Sequence, residues 1–191
     1  MRIGVLALQG DFEEHCLILK RLGVEVREVR LPKDIDGLDG IVMPGGESTT
    51  IGKLARDFGL EQPLREASKT IPIWGTCGGL IFMARDVGML QPILGVMDVT
   101  VERNAFGRQV DSFEEDLRIK GVDGGPFRGI FIRAPVIKEV GSAVEILCTL
   151  ADGRIVAVRQ GRLMGTSFHP ELTSDDRVHR YFLDMAAEST S

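Results

Sequence analysis

Ile71-Pro72-Ile73-Trp74-Gly75-Thr76-Cys77-Gly78-Gly79-Leu80-Ile81-Phe82-Met83-Ala84 decides the fold. A short apolar run bounded by glycines reads as a buried strand, and a second apolar run follows with no room for a long loop. A strand, a sharp turn and a buried helix in succession form the unit of a parallel sheet. Cysteine at the turn is the arrangement of a nucleophile elbow with sulfur in place of a hydroxyl. The glycines at 75, 78 and 79 let neighbouring backbones approach, and glycine also tolerates positive φ best. The helix N-terminus behind the sulfur favours negative charge there, and amide N–H groups after a nucleophile can hold an oxyanion.

The same alternation continues towards the N-terminus. Arg2 to Leu8 reads as a buried strand ending at Gln9-Gly10, and Phe12, Cys16, Leu19 and Leu22 fall close to helical spacing. Asp11 stands where a cap belongs and Gly23 where a helix stops. Val24 to Arg30 alternates as a more exposed strand, and Asp39 to Pro44 is a short buried one. Helical stretches follow to about Phe58 and from Gln62 to Ser68. This β-α-β-α-β-α order implies an α/β fold with helices on both faces of the sheet.

Beyond Gly95 strand-like runs dominate: Val96–Val101, Leu117–Ile119, Gly129–Ile132, Val144–Leu150 and Ile155–Val158. Asp152-Gly153 is a hairpin signal. A further strand from Leu163 to Phe168 meets His169-Pro170-Glu171, and a last helix begins near Ser174 with Val178, Tyr181, Phe182, Met185 and Ala186 on one face. No repeat or linker divides the 191 residues, so 1–191 is expected to form a single three-layer domain.

Composition narrows the function. With 23 Lys+Arg against 28 Asp+Glu the net charge is −5, which disfavours nucleic-acid backbone binding. No apolar run reaches the length of a membrane span, and the first residues do not read as a signal peptide, so a cytoplasmic protein is expected. Three widely spaced cysteines, Cys16, Cys77 and Cys148, offer neither a disulfide framework nor a metal knuckle. Neither a metal nor an organic cofactor is expected.

Two more segments bear chemistry. His169 and Glu171 flank a proline that favours extended backbone at His169, and residues two apart in an extended segment point the same way. The pair suits a base oriented by a carboxylate, able to take a thiol proton from Cys77. The other histidines, His15 and His179, lie among charged residues on helices and read as solvated. Pro44-Gly45-Gly46-Glu47-Ser48 ends a parallel strand, the edge at which open α/β sheets bind ligands. It carries neither a phosphate-loop nor a dinucleotide fingerprint.

The order P-G-G-E-S, G-T-C-G-G, H-P-E resembles a class I, triad-type glutamine amidotransferase domain over nearly the whole chain. Several strings are similar to the glutaminase-subunit family of pyridoxal 5′-phosphate synthases: G-V-L-A-L-Q-G (4–10), P-G-G-E-S-T-T (44–50), V-E-R-N-A-F-G-R-Q-V-D-S-F-E (101–114), F-I-R-A-P (131–135) and S-F-H-P-E-L-T (167–173). The resemblance implies a flavodoxin-like fold with a central, mostly parallel sheet and additional antiparallel strands. It implies hydrolysis of L-glutamine to glutamate and ammonia through a γ-glutamyl thioester on Cys77. His169 would move protons, Glu171 would orient it, and amides around Gly46 and Gly78 would stabilise the oxyanion. Substrate contacts fall on Gly46, Glu47, Ser48, Arg103, Ile132 and Arg133. The implied partner is a (β/α)8 synthase subunit in a hetero-oligomer, which takes the ammonia for vitamin B6 synthesis. One position departs from the family pattern, which usually has Ala after the nucleophile; here it is Gly78. Three readings stay open beside this one: the glutaminase of another synthase such as that of histidine biosynthesis, a non-catalytic module of the same fold, and a hydrolase of γ-glutamyl peptides.

Overall fold

The computed structural model describes residues 1–106 and 111–189. Positions 107–110, part of the string at 101–114, and 190–191, the end of the expected domain, lie outside them. The first half has β1 (Arg2–Leu6), α1 (Phe12–Arg21), β2 (Glu25–Val29), β3 (Gly40–Met43), α2 (Ser48–Asp57), α3 (Glu61–Ala67), β4 (Ile73–Thr76) and α4 (Gly78–Met83). It continues with β5 (Ala84–Asp86), β6 (Met97–Glu102), β7 (Ser112–Leu117), β8 (Phe127–Ile132), β9 (Val136–Val140), β10 (Glu145–Thr149), β11 (Ile155–Gln160), β12 (Leu163–Thr166) and α5 (Arg177–Glu188).

Among the described residues the large sheet runs β2-β1-β3-β4-β12-β11-β9-β6-β5, with β10 paired to β11. From β2 to β12 all neighbours are parallel; beyond β12 the pairings turn antiparallel as far as β6, and β5 joins β6 in parallel. The flavodoxin-like order 2-1-3-4 therefore holds in the half built by crossovers, where right-handed β-α-β connections force it. β7 and β8 make a separate antiparallel hairpin.

Strand alternation sorts the core into two layers. Ile41, Met43, Ile73 and Leu163 point to the face covered by α2, α3 and α4, with Ile51, Ala55, Leu64 and Phe82. Val42, Trp74 and Met164 point to the other, against Cys16 and Leu19 of α1 and Phe182 and Met185 of α5. Two strands escape the sequence reading, β5 and β9; both are short, and β9 carries Lys138 and Glu139 on its exposed part. β7 begins at Ser112 and ends at Leu117, earlier than expected, because Glu114 and Asp116 alternate outward while Phe113 stacks on Phe131 at 4.5 Å. Among the described residues, no helix is long and apolar enough to cross a membrane.

Candidate active site

The loops after β1, β3, β4 and β12 meet at the carboxyl edge of the sheet. Two of them are zipped together by backbone: Asp11 N–H donates to the Gly45 carbonyl at 3.0 Å. The expected cap role of Asp11 does not hold. It occupies the cap position of α1 without a side-chain bond there, and its Oδ2 lies 3.4 Å from His169 Nδ1 instead. Sequence reasoning missed this third carboxylate, because proximity to His169 is a property of the folded loops.

Cys77 sits at the elbow between β4 and α4 with φ 46° and ψ −105°. Positive φ on a non-glycine residue costs about 1–3 kcal/mol and persists only where surroundings enforce it. Here Cys77 N–H donates to the Thr166 carbonyl at 2.8 Å, tying the elbow to β12. This corrects the expectation for the flanking glycines. The strained dihedral falls on Cys77 itself, and Gly75, Gly78 and Gly79 are needed for close approach. A Cβ on Gly79 would overlap the Met43 carbonyl, one on Gly78 the Gly46 carbonyl oxygen, and one on Gly75 would lie 2.7 Å from Leu80 N. In this conformation Gly78 cannot become alanine unless the Gly46 peptide rotates.

The Cys77 sulfur lies 3.9 Å from the Ile132 carbonyl, at the end of β8. The hairpin is held over the site because His169 N–H donates to the Ile130 carbonyl at 2.8 Å. His169 and Glu171 do pair, with Nδ1 to Oε1 at 2.6 Å. The backbone around them differs from the extended segment expected: Pro170–Leu172 is a short 3-10 turn, with His169 at its cap. The tight turn brings the two side chains together all the same. With Nδ1 engaged by Glu171, Nε2 is the nitrogen left for the thiol. Burial opposes charge on His169, but hydrogen bonds with Asp11, Cys77 and Glu171 outweigh it and push the imidazole up to about 12. Burial pushes the Glu171 carboxyl up, with His169 pulling against it. By contrast Cys16 and Cys148 are buried without such partners, and desolvation raises both thiols to about 11.

A cavity of about 400 Å³ opens on the sulfur. Gly46, Glu47, Ser48, Cys77, Arg103, Ile132, Arg133 and His169 line it together with Asp11, Ile81, Asn104 and Leu172. Its size suits a small metabolite. Of the site residues that the family resemblance implies, Gly78 and Glu171 stand behind this wall. Glu47 caps α2, accepting from Thr49 N–H at 3.1 Å and Thr50 N–H at 2.7 Å. Partial burial disfavours its charge, but the bonds from Thr50 and Thr49 outweigh that and bring the carboxyl down to about 2. Arg103 is fixed on the wall by Gln91 Oε1 at 2.8 Å and Glu47 Oε1 at 3.2 Å. Arg133 is exposed, with positive φ and its N–H donated to the Asp111 carbonyl at 2.7 Å. Around the expected oxyanion position, the Gly46 carbonyl faces Gly78, and Glu47 N–H donates to Gln9 Oε1 at 2.7 Å.

Asp11, His169 and Glu171 also bring three possible metal-ligand atoms within 4.8 Å. A metal there would compete for His169 Nδ1, the atom that Glu171 holds. His15 and His179, expected in solvent, are both fully buried under β4. Their helices carry charge on one side only, and these two rings fall on the other.

A thiol at a strand–helix elbow, facing an imidazole held by a carboxylate, can act as a nucleophile with its own base. That arrangement, on a half-parallel α/β sheet, places the chain in the class of α/β folds that carry a nucleophile elbow at the carboxyl edge of the sheet. The model of the SNO glutamine amidotransferase family matches residues 5–188, and the chain belongs to that family. It is 57% identical over 188 residues to the pyridoxal 5′-phosphate synthase subunit PdxT of a Thermus thermophilus strain, covering 96% of this chain and 97% of that one. The subunit of the same name from Dehalococcoides mccartyi strain 195 is 51% identical over 192 residues, covering 98% of each. A crystal structure of a glutamine amidotransferase at 53% identity superposes with a TM-score of 0.92, covering 97% of this chain and 98% of the other.

Proposed function

We propose that this chain, as one amidotransferase domain over 1–191, is the glutaminase subunit of a pyridoxal 5′-phosphate synthase. The observation that carries the chemistry is His169, bound to Glu171 at 2.6 Å and lining the same cavity as Cys77. Cys77 Sγ gives its proton to His169 Nε2 and attacks the side-chain amide carbon of L-glutamine, and the oxyanion forms against backbone N–H groups of Gly46 and Gly78. His169 donates a proton to the leaving nitrogen, so ammonia departs and a γ-glutamyl thioester remains. A water then loses a proton to His169 and attacks the thioester, releasing glutamate and restoring the thiol. Glu171 holds the ring in the tautomer these steps require. No metal or organic cofactor takes part.

Gly46, Glu47, Ser48, Arg103, Ile132 and Arg133 hold glutamine. Its α-carboxylate calls for a cation and its α-ammonium for an acceptor, and the cavity wall offers both. Ammonia passes to a (β/α)8 synthase subunit within a hetero-oligomer. The relatives' name as synthase subunits supports this partner. Three free cysteines suit the reducing cytosol.

The test is glutamate release from L-glutamine, by the protein alone and with a pyridoxal phosphate synthase subunit added. Stimulation by the partner is expected. Silence in both tubes, with folded protein and cognate partner, would overturn the reading.

A further inference from the structure

We propose that His15 and His179 are positioning residues for the triad, a buried two-imidazole relay that fixes the second oxygen of Glu171. The proposal rests on the glutaminase reading only for the identity of the triad. His15 lies on α1 and His179 on α5, and neither ring reaches the cavity. Their nitrogens meet directly, His15 Nδ1 to His179 Nε2 at 2.9 Å. The other nitrogen of His15, Nε2, lies 3.4 Å from Glu171 Oε2 and 3.4 Å from Thr76 Oγ1. Thr76 is the residue immediately before the nucleophile.

One requirement sets every proton in this chain. Glu171 Oε1 is taken by His169, while Oε2 is buried and has no hydrogen bond of ordinary geometry. A buried carboxylate oxygen without a donor is costly, and His15 Nε2 is the ring nitrogen beside it. His15 therefore carries its proton on Nε2. A neutral imidazole has one N–H, so His15 Nδ1 is an acceptor, and His179 Nε2 must donate to it. That leaves His179 Nδ1 as a bare lone pair. It is the ring nitrogen buried without a partner. A lone pair lacking a donor is the cheaper of the two ways to end such a chain, so both ends of the relay agree.

The rings are held rigidly and kept neutral. Trp74 meets both edge-on, at 5.5 Å from His15 and 5.0 Å from His179, and its own N–H donates to Thr166 at 3.0 Å. Burial is the main reason that neither ring charges; His179 and His169 add to it for His15. Around His179, Asp176 before α5 pulls weakly towards charge and Arg21 at the end of α1 against it. Glu171 is thus bound at Oε1 by His169, and His15 Nε2 is the core nitrogen placed beside Oε2. The ring of His169 can then present Nε2 to the sulfur in a single orientation.

The chain has only three histidines, so ¹⁵N-histidine NMR of the intact protein reads each ring. Both His15 and His179 are expected as neutral Nε2–H tautomers at neutral pH; a Nδ1–H or charged form of either overturns the relay. Two substitutions then test its effect on the triad. His15→Phe removes the donor, and His15→Gln restores an N–H at similar reach. The rate of Cys77 alkylation by iodoacetamide against pH, read by peptide mass, is expected to change shape in His15→Phe and to return towards wild type in His15→Gln. In the complex with the synthase subunit, kcat for glutamine is expected to fall about tenfold to a hundredfold in His15→Phe with KM little changed. A folded His15→Phe with the wild-type alkylation profile and kcat would overturn the proposal. If His15→Phe does not fold, the wild-type tautomers and the His15→Gln profile against that of His15→Asn, whose shorter amide cannot reach Glu171, still decide it. If the glutaminase reading is wrong, wild-type protein turns over no glutamine while its Cys77 alkylation still responds to His15.

Discussion

Cys77 holds a backbone conformation that a side chain rarely adopts, φ 46°, because glycines on both sides let the strand, the helix and the β3 loop close around it. The strain projects the sulfur into the cavity. Cys77→Ser keeps the dihedral and the volume but replaces a soft nucleophile with one of much higher pKa. It is expected to reduce glutamate release to background while the thermal midpoint stays near that of wild type; undiminished turnover would remove Cys77 from the mechanism. Gly45 gives a second test at this scale. A Cβ there would lie 2.7 Å from His169 Cε1 and 3.3 Å from Asp11 Oδ2. Gly45→Ala is expected to displace the imidazole and lower kcat about tenfold to a hundredfold in a folded protein. The sequence marks both glycines of Gly45-Gly46 as turn residues, but which atoms they make room for is visible only once the loops meet.

At the scale of elements, α2 begins at the cavity wall, and Glu47 caps it through Thr49 and Thr50. The folded-state carboxyl is depressed to about 2 against an ordinary 4.5. A depressed carboxylate adds stability above its unfolded pKa and loses it as pH falls through the folded value. Glu47 is half exposed, so solvent screens much of the shift, and about 1 kcal/mol is a fair expectation for the cap. Glu47→Ala is expected to lower urea stability by that amount at pH 7, with the difference shrinking between pH 4.5 and 2. A constant difference across that range would assign Glu47 no capping charge. The cap was not marked in the sequence: Glu is a less usual cap than Ser or Asp, and Ser48 stood beside it. Asp11, a better cap by type, was drawn instead to His169.

At the scale of the molecule, two imidazoles are buried where α1 and α5 cover β4. A histidine held neutral by burial has a lowered folded pKa, so its contribution is present above about 6.5 and is lost as pH falls. His179 is lowered to about 3, so it differs by a full proton between folded and unfolded states over most of that window. His169 is raised, and its contribution is already complete below 6.5, so it does not offset this loss. His179→Leu is therefore expected to flatten the stability–pH curve by about 1.4 kcal/mol per pH unit between pH 6 and 4. Equal slopes for variant and wild type, measured by urea unfolding, would show that His179 titrates as a solvated ring.

The sequence by itself determined the β-α alternation, the elbow at Cys77, the sharp turns at Gly45-Gly46 and Asp152-Gly153, and the pairing of His169 with Glu171. Each depends on residues within a few positions of one another, where local sterics, turn chemistry and hydrophobic period act directly. Its strings also resemble the family to which the chain belongs. Tertiary structure alone decided where the non-local partners fell. β5 and β9 become strands because β6 offers an edge on each side. Asp11 reaches His169 because Gly10 and Gly45 let two loops touch. His15 and His179, on helices more than 150 residues apart in sequence, face each other across 2.9 Å because both helices pack on one face of the sheet. Helical period says which residues share a face; it cannot say which face of another element will cover them.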